Sequence, residues 1–328
     1  MRRPLLLLAA AGAILVPAGP AFAHTGDTNG VSAYRVTVTG VSTPADGLSV
    51  RVVEGGARLE LSNGTGRAVE ILGYSGEPYI EVRPDGTYQN VNSPAAYLNE
   101  TLGGDTPLPA SADPTAAPAW RQVSTETTVR WHDQRTQWRE AGPPAQAAAA
   151  PDRAHRLSEW AVPLRDQTRT FEIQGTLDYE PPPREWAWWA GAVLLAIAVT
   201  LLAHRWPVSV VPVALIAGIT TLGYGLTRIL DGGSFPAVVV LAGLLTCAAA
   251  YRHPPFYLAL SGFVLAAFAG FGSADVFTAA VLPNAGPGGM TRATVAVAIG
   301  AGAALALTGV LRLRAAEVTV APAPLPQS

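Results

Sequence analysis

Pro181-Pro182-Pro183-Arg184-Glu185-Trp186-Ala187-Trp188-Trp189-Ala190-Gly191-Ala192-Val193-Leu194-Leu195 is the stretch on which the fold turns. Three prolines hold the backbone as a stiff extended spacer. The tryptophans that follow suit a membrane–water interface, and the chain then runs into apolar residues. Charges are frequent up to Arg184 and nearly vanish between Glu185 and Leu311. The two sides are built for different solvents, so a chain of 328 residues, 49% hydrophobic and 14% charged, divides here into a water-facing and a lipid-facing part.

Downstream, apolar runs cover 188–203, 208–226, 235–250, 256–271 and 294–311. Each approaches the roughly 20 residues that span a bilayer as a helix, which predicts an all-α transmembrane bundle of about five helices over 188–313, with a tail over 314–328. Small residues recur every fourth position at Gly262/Ala266/Gly270 and Ala298/Gly302/Ala306, a spacing that lets helices approach closely. Five spans with the preceding domain outside put the C-terminus in the cytoplasm. Arg205, Arg252, Arg312 and Arg314 then lie inside against Arg228 and Arg292 outside, in accord with the positive-inside rule. The span centres lack the ionisable residues of a proton or ion path.

Upstream, Met1-Arg2-Arg3, the apolar run 5–16 and Ala21-Phe22-Ala23 have the form of a signal peptide cleaved after residue 23, with export by the general secretory route. The mature chain would begin at His24. From Tyr34 onward apolar residues alternate: Tyr34/Val36/Val38, Leu48/Val50/Val52, Leu59/Leu61, Val69/Ile71, Val129/Trp131 and Phe171/Ile173. Period two with one apolar face predicts half-buried strands. Turn signals stand between them at Pro44-Ala45-Asp46-Gly47, Gly55-Gly56, Asn63-Gly64, Pro84-Asp85-Gly86 and Gly142-Pro143-Pro144. Short strands at such intervals predict an all-β sandwich of immunoglobulin or cupredoxin type over 24–180, joined to the bundle by the Pro-rich linker 181–187. The Pro/Ala/Gly-rich stretches 103–118 and 141–151 read as surface loops.

All 22 basic residues are arginine, which with abundant Ala, Gly and Pro points to a GC-rich bacterial, actinobacterial source. A net charge of −2 without a basic cluster excludes nucleic acid as a partner. Cys247 is the only cysteine and lies in an apolar run, so the β-domain has no disulfide and no thiolate metal site. The partners this composition implies are membrane lipid and another envelope protein or a copper-handling one.

The chemistry-bearing candidates are histidines. A free α-amine and imidazole at His24 can chelate one metal ion, and a second imidazole at His132 would complete a nitrogen-rich site for copper(II), with His155 a distant third. His204 and His253 fall at span ends as interface residues. No Gly-x-Ser-x-Gly elbow, phosphate-binding loop or His-Glu-x-x-His helix is present, so no enzyme is expected. The carboxylates Glu60, Glu70, Glu77, Glu81 and Asp133 read as a solvated face.

Trp131-His132-Asp133-Gln134-Arg135-Thr136-Gln137-Trp138, with Ile71-Leu72-Gly73-Tyr74 and Trp160-Ala161-Val162-Pro163-Leu164, resembles a family of uncharacterised actinobacterial exported membrane proteins made of signal peptide, β-rich ectodomain and C-terminal spans. Their segment has the form Trp-His-Asp-His-Arg-x-His-Trp. Here only His132 of the three histidines is kept, with Gln134 and Gln137 at the other positions, and amides are poorer copper ligands than imidazole. The expectation is a non-catalytic envelope protein of the plasma membrane whose exported β-domain binds a partner or ligand. Copper handling through His24 is the alternative, and a histidine-brace copper oxidase is the remote one.

Overall fold

The computed structural model describes residues 33–252 and 254–319. His24, the expected signal peptide, His253 and the end of the tail lie outside the described residues. Ten strands form two antiparallel sheets. β1 (Tyr34–Val41), β10 (Arg169–Tyr179), β9 (His155–Asp166), β4 (Val69–Leu72), β5 (Pro78–Arg83), β6 (Gly86–Asn90) and β7 (Trp120–Ser124) make the larger sheet, in that order. β2 (Leu48–Val53), β3 (Arg58–Asn63) and β8 (Thr128–Trp131) make the smaller.

The alternation explains the core. Val36, Ile71, Val82, Val162, Leu164, Ile173 and Leu177 from the larger sheet meet Leu59, Leu61 and Trp131 from the smaller in one buried cluster. Every strand expected from alternation is present, whereas β5, β6, β7 and β9 were not expected. In β9 Pro163 takes an outward position between buried Val162 and Leu164, next to the two residues, Leu164 and Arg165, that pair with β4. Such a site beside the end of a pairing tolerates a missing N–H. Gly175 on β10 faces Trp160 on β9, and a methyl there would fall 2.0 Å from the indole Cζ2, so only glycine admits that ring. Short helices α1 (Ala95–Leu98) and α2 (Ala145–Ala149) punctuate the loops.

Four helical stretches are long and apolar enough to cross a membrane: Glu185–Arg205, Pro207–Leu230, Pro255–Phe277 and Gly288–Ala316. Their helices are α3 (Glu185–Arg205), α4 (Val210–Leu230), α6 (Pro255–Val264, with its continuation) and α7 (Gly288–Thr319). The run expected at 235–250 is found as α5 (Ala237–Arg252), 16 residues long. At 1.5 Å per residue that is about 24 Å, short of a hydrocarbon core of about 30 Å. Helix α3 also starts three residues earlier than expected, at Glu185, with Arg184 alone between it and the prolines.

The two small-residue stripes face each other. A methyl on Gly262 would lie 2.4 Å from the Ala306 backbone nitrogen, and one on Gly302 2.7 Å from that of Ala266. Near the other end Trp188 and Trp189 of α3 pack on Phe277, at ring separations of 6.2 and 5.1 Å.

The β-domain rests on the bundle through a defined seam. Arg51 on β2, Glu60 on β3 and Arg130 on β8 stand side by side across the smaller sheet. Glu60 accepts from both arginines at 2.6 Å. The arginines then donate to the loop after α4, Arg51 to the Leu230 carbonyl at 3.0 Å and Arg130 to that of Gly232 at 2.7 Å. Between them the turn Glu54–Gly56 presents its amides to Asp231: Glu54 N–H to the carbonyl and Gly55 N–H to Oδ2, both at 3.0 Å. This turn takes left-handed backbone at three successive residues, Glu54 (φ 55°), Gly55 (φ 67°) and Gly56 (φ 104°). That conformation disfavours a side chain such as Glu54's, and the seam holds it in place.

Burial pushes the Asp231 carboxyl up to about 6, against the pull of the Gly55 amide and the Arg51 charge; Glu54 adds to the rise. An acid whose pKa is higher in the folded state than in the unfolded one binds its proton more tightly when folded. Its contribution to stability is therefore full below its unfolded value near 4 and is lost as pH rises through about 6. Asp231→Asn, which mimics the protonated acid, is expected to flatten this loss and to be at least as stable as the parent at pH 7. Thermal unfolding of the full chain in detergent, scanned from pH 4 to pH 7, checks this; equal pH slopes in the two proteins would refute it.

Candidate functional site

The segment that ends β8 builds a cleft. Trp131 closes the strand inside the core, and Asp133 then turns the chain: its carboxylate accepts from Arg135 N–H at 3.1 Å, from Trp131 Nε1 at 3.0 Å and from Arg135 Nη2 at 2.7 Å. The Asp133 side chain is fully buried. The turn Gln134–Thr136 follows and presents Gln134 and Gln137 to one side.

His132 stands directly behind the cleft wall. Its Nε2 is 3.1 Å from Arg58 Nε and its Nδ1 2.8 Å from the Ala57 carbonyl. A guanidinium only donates, so Nε2 is the acceptor and Nδ1 carries the proton toward Ala57. Arg58 also pairs with Glu54 at 3.2 Å. His132 thereby supports the same Glu54–Gly56 turn that grips Asp231, and Gln137 holds it from the other side, Nε2 donating to the Gly56 carbonyl at 2.9 Å.

The cleft itself measures about 370 Å³ and is lined by Tyr34, Glu54–Ala57, Leu102, Gly103, Gln134, Gln137–Glu140 and Gly142. Tyr34 and Trp138 stack at 6.4 Å along one edge. Arg139 is tied to the Gly103 carbonyl at 3.1 Å. Gln134 donates from Nε2 to the Leu98 carbonyl at 3.1 Å, yet its Oε1 is buried with no partner. Buried acceptors of that kind are rare and costly, and this one lies within a residue that forms the cleft wall. Behind Gln134, Tyr74 receives its amide N–H at 2.9 Å and bonds Asn99. Burial first, and the Asp133 charge second, push the Tyr74 hydroxyl up to about 12, so it is a neutral donor.

Of the expected metal candidates, His132 stands behind the cleft wall and His155 stands away from it. His155 stacks on Tyr179 at 6.1 Å and bonds the Ala150 carbonyl at 2.9 Å. Among the described residues no group of three His, Cys, Asp or Glu side chains is placed to hold a metal ion. The carboxylates read as a solvated face are in part buried: Asp133 is 1% exposed, Glu77 5% and Glu60 7%. Each is neutralised or hydrogen-bonded: Asp133 by Arg135 two residues on, Glu60 by Arg51 and Arg130 across the smaller sheet, and Glu77 by the Ser75 amide and Ser93 Oγ.

Sequence reasoning missed the cleft. Gln134 and Gln137 drew attention only as replaced histidines, and Gly55-Gly56 only as a turn. The backbone demand of that turn was the one available signal. Compared with known protein families, with curated proteins and with solved structures, the chain matches none.

Proposed function

We propose that this protein is a non-catalytic, membrane-anchored binding module of the bacterial plasma membrane. Its exported β-domain, a sandwich of immunoglobulin or cupredoxin type, takes a small polar ligand or an envelope partner in the Tyr34–Gln134–Trp138 cleft. Five spans carry it, with Ala237–Arg252 as the short one, and the C-terminus is cytoplasmic. The observation that carries the reading is the unpartnered, buried Gln134 Oε1 in the wall of an open cleft. What extends it is the shared turn: Glu54–Gly56 lines the cleft on one side and clasps Asp231 on the other, so occupancy is felt at the loop after α4.

The test is ligand-induced thermal stabilisation of the full chain in lipid nanodiscs against soluble envelope components, namely peptidoglycan fragments, short peptides and hexoses. One class is expected to raise the Tm of the parent and not of Gln134→Leu, which keeps the size and removes the acceptor. If no class shifts the parent, the reading fails.

Copper handling stays as a second reading, because His132 stands behind the wall of the cleft that Tyr34 lines, and Tyr34 is ten residues downstream of His24. A copper(II) arm in the same assay distinguishes it. Binding lost on adding one glycine before His24, and in His132→Ala, would favour copper; equal weak binding by both N-termini would dismiss it.

A further inference from the structure

The helical part holds a second polar cavity, separate from the cleft and independent of the reading above. It measures about 100 Å³ and lies between the end of α4, the end of the 255–277 stretch, the loop 282–284 and the first turn of α7. It forms where that stretch changes geometry: α-helical over Pro255–Val264, π over Leu265–Gly270 and 3₁₀ over Phe271–Phe277, with non-helical backbone at Ser273. Departures of this kind inside a helix are rare and frequently mark functional sites, and interrupted spans are where polar ligands are met inside a membrane. The break is stabilised from one side. Arg292 donates through Nε to the Val276 carbonyl at 2.9 Å and through Nη2 to those of Ala279 and Ala280 at 2.6 and 3.1 Å.

Tyr224, Arg228, Ser273, Asp275, Asn284 and Thr291 bring polar groups to the cavity. Most of them bond nothing. Among the described residues the Arg228 guanidinium makes no hydrogen bond or ion pair and only overlies the Tyr224 ring at 6.0 Å. The Asp275 carboxylate has no partner among them either, and neither do the hydroxyls of Tyr224, 8% exposed, and Ser273, 3% exposed. Asn284 donates from Nδ2 to Thr291 at 2.8 Å, while its Oδ1 is buried and unpartnered. Asp275 is exposed and Arg228 half-buried, and the two border the same small space without pairing. Two opposite poles, two free hydroxyls and an amide acceptor thus stand around one void.

The complement of that arrangement is a dipolar ligand. We propose that the cavity is a binding site for a compact zwitterion, an α-amino acid of glycine or alanine size. Its carboxylate meets Arg228, and its ammonium meets Asp275 and the Asn284 Oδ1. The void holds the equivalent of about three waters at about 30 Å³ each, which admits a molecule of that size and rejects one with a branched side chain. The planar donor fork of Arg228 suits a carboxylate in two-point contact.

The experiment is equilibrium binding of radiolabelled glycine to the full chain in lipid nanodiscs, with alanine, leucine, acetate and methylamine as competitors. Saturable glycine binding displaced by alanine but not by leucine is expected. Acetate and methylamine, each with one pole, are expected to compete at least tenfold more weakly than alanine. Arg228→Gln and Asp275→Asn are each expected to weaken glycine at least tenfold while unfolding at the parent temperature, and Arg228→Lys to recover part of the loss. Absence of saturable glycine binding by the folded parent up to about 10 mM overturns the proposal and leaves a water-filled void. Acetate competing as well as alanine, with Asp275→Asn unchanged, also overturns it and makes the cavity a simple anion site.

Discussion

Alanine at position 133 is expected to destabilise the β-domain by about 3–5 kcal/mol, the scale for breaking a buried ion pair from one side. Asp133 is 1% exposed, and three groups depend on it. The Trp131 indole N–H loses its acceptor, the Arg135 guanidinium loses its neutralising charge, and the turn Gln134–Thr136 loses its cap. Arg135 cannot escape into water without giving up its stack on Tyr74, at 4.9 Å from the ring centroid, and its bond to the Leu72 carbonyl. Chemical denaturation followed by tryptophan fluorescence reads the loss. The double variant Asp133→Ala/Arg135→Ala is expected to be less destabilised than the sum of the two singles, since each single leaves a lone charge behind and the double does not. Additive effects would show that the pair is not coupled.

The second large effect is expected in the bundle. Gly302→Leu would drive Cβ to 2.7 Å from the Ala266 backbone nitrogen and 2.9 Å from the Gly262 carbonyl oxygen. Both neighbours are main chain, which cannot move aside as a flexible side chain can, so the cost exceeds the about 1–3 kcal/mol of ordinary overpacking. α6 and α7 must separate. The full chain in detergent is expected to lose its monodisperse elution and its cooperative thermal transition. Gly223→Leu on α4 is the control: nothing lies within 4 Å of a Cβ there, and a change within about 0.5 kcal/mol is expected. If both variants behave alike, close backbone approach is not what holds the bundle.

Both predictions depend on features that differ in how openly the sequence carries them. The glycine stripes could be read directly, because helical periodicity turns every fourth small residue into one surface whatever the partner is. Strands β1, β2, β3, β4, β8 and β10 were legible for the same reason, each having one apolar face in period two. β9 was not, since apolar Ala161 and Pro163 on its outer face mask the alternation of Trp160, Val162 and Leu164; β6 and β7 are mostly polar, and the Ile80/Val82 alternation of β5 went unread. Reading Glu60 as outward and solvated failed because its partners Arg51 and Arg130 are distant in sequence, and only the register of β2, β3 and β8 lines the three up. The cleft was invisible for a further reason: its walls come from the start of β1, the turn after β2 and the loops around 102, 137 and 142, which no local period connects. The helix count turned on length. A run of apolar residues reads the same at 16 residues as at 20, but its reach does not.

One pairing also imposes a clock on the molecule. β1 is the first strand of the described chain and β10 the last, and Tyr34 lies opposite Tyr179 with 145 residues of separation. At a synthesis rate of 5–20 residues per second, β1 waits roughly 7–30 s for its only neighbour in the larger sheet among the described residues. During that interval its pairing edge toward β10 has no cover. When Tyr179 is finally available, Glu185 and the first apolar helix are six residues behind it. Completion of the sheet and delivery of the chain to lipid thus fall almost in the same moment, so a stalled chain ending before residue 169 should be the form that proteases and chaperones capture.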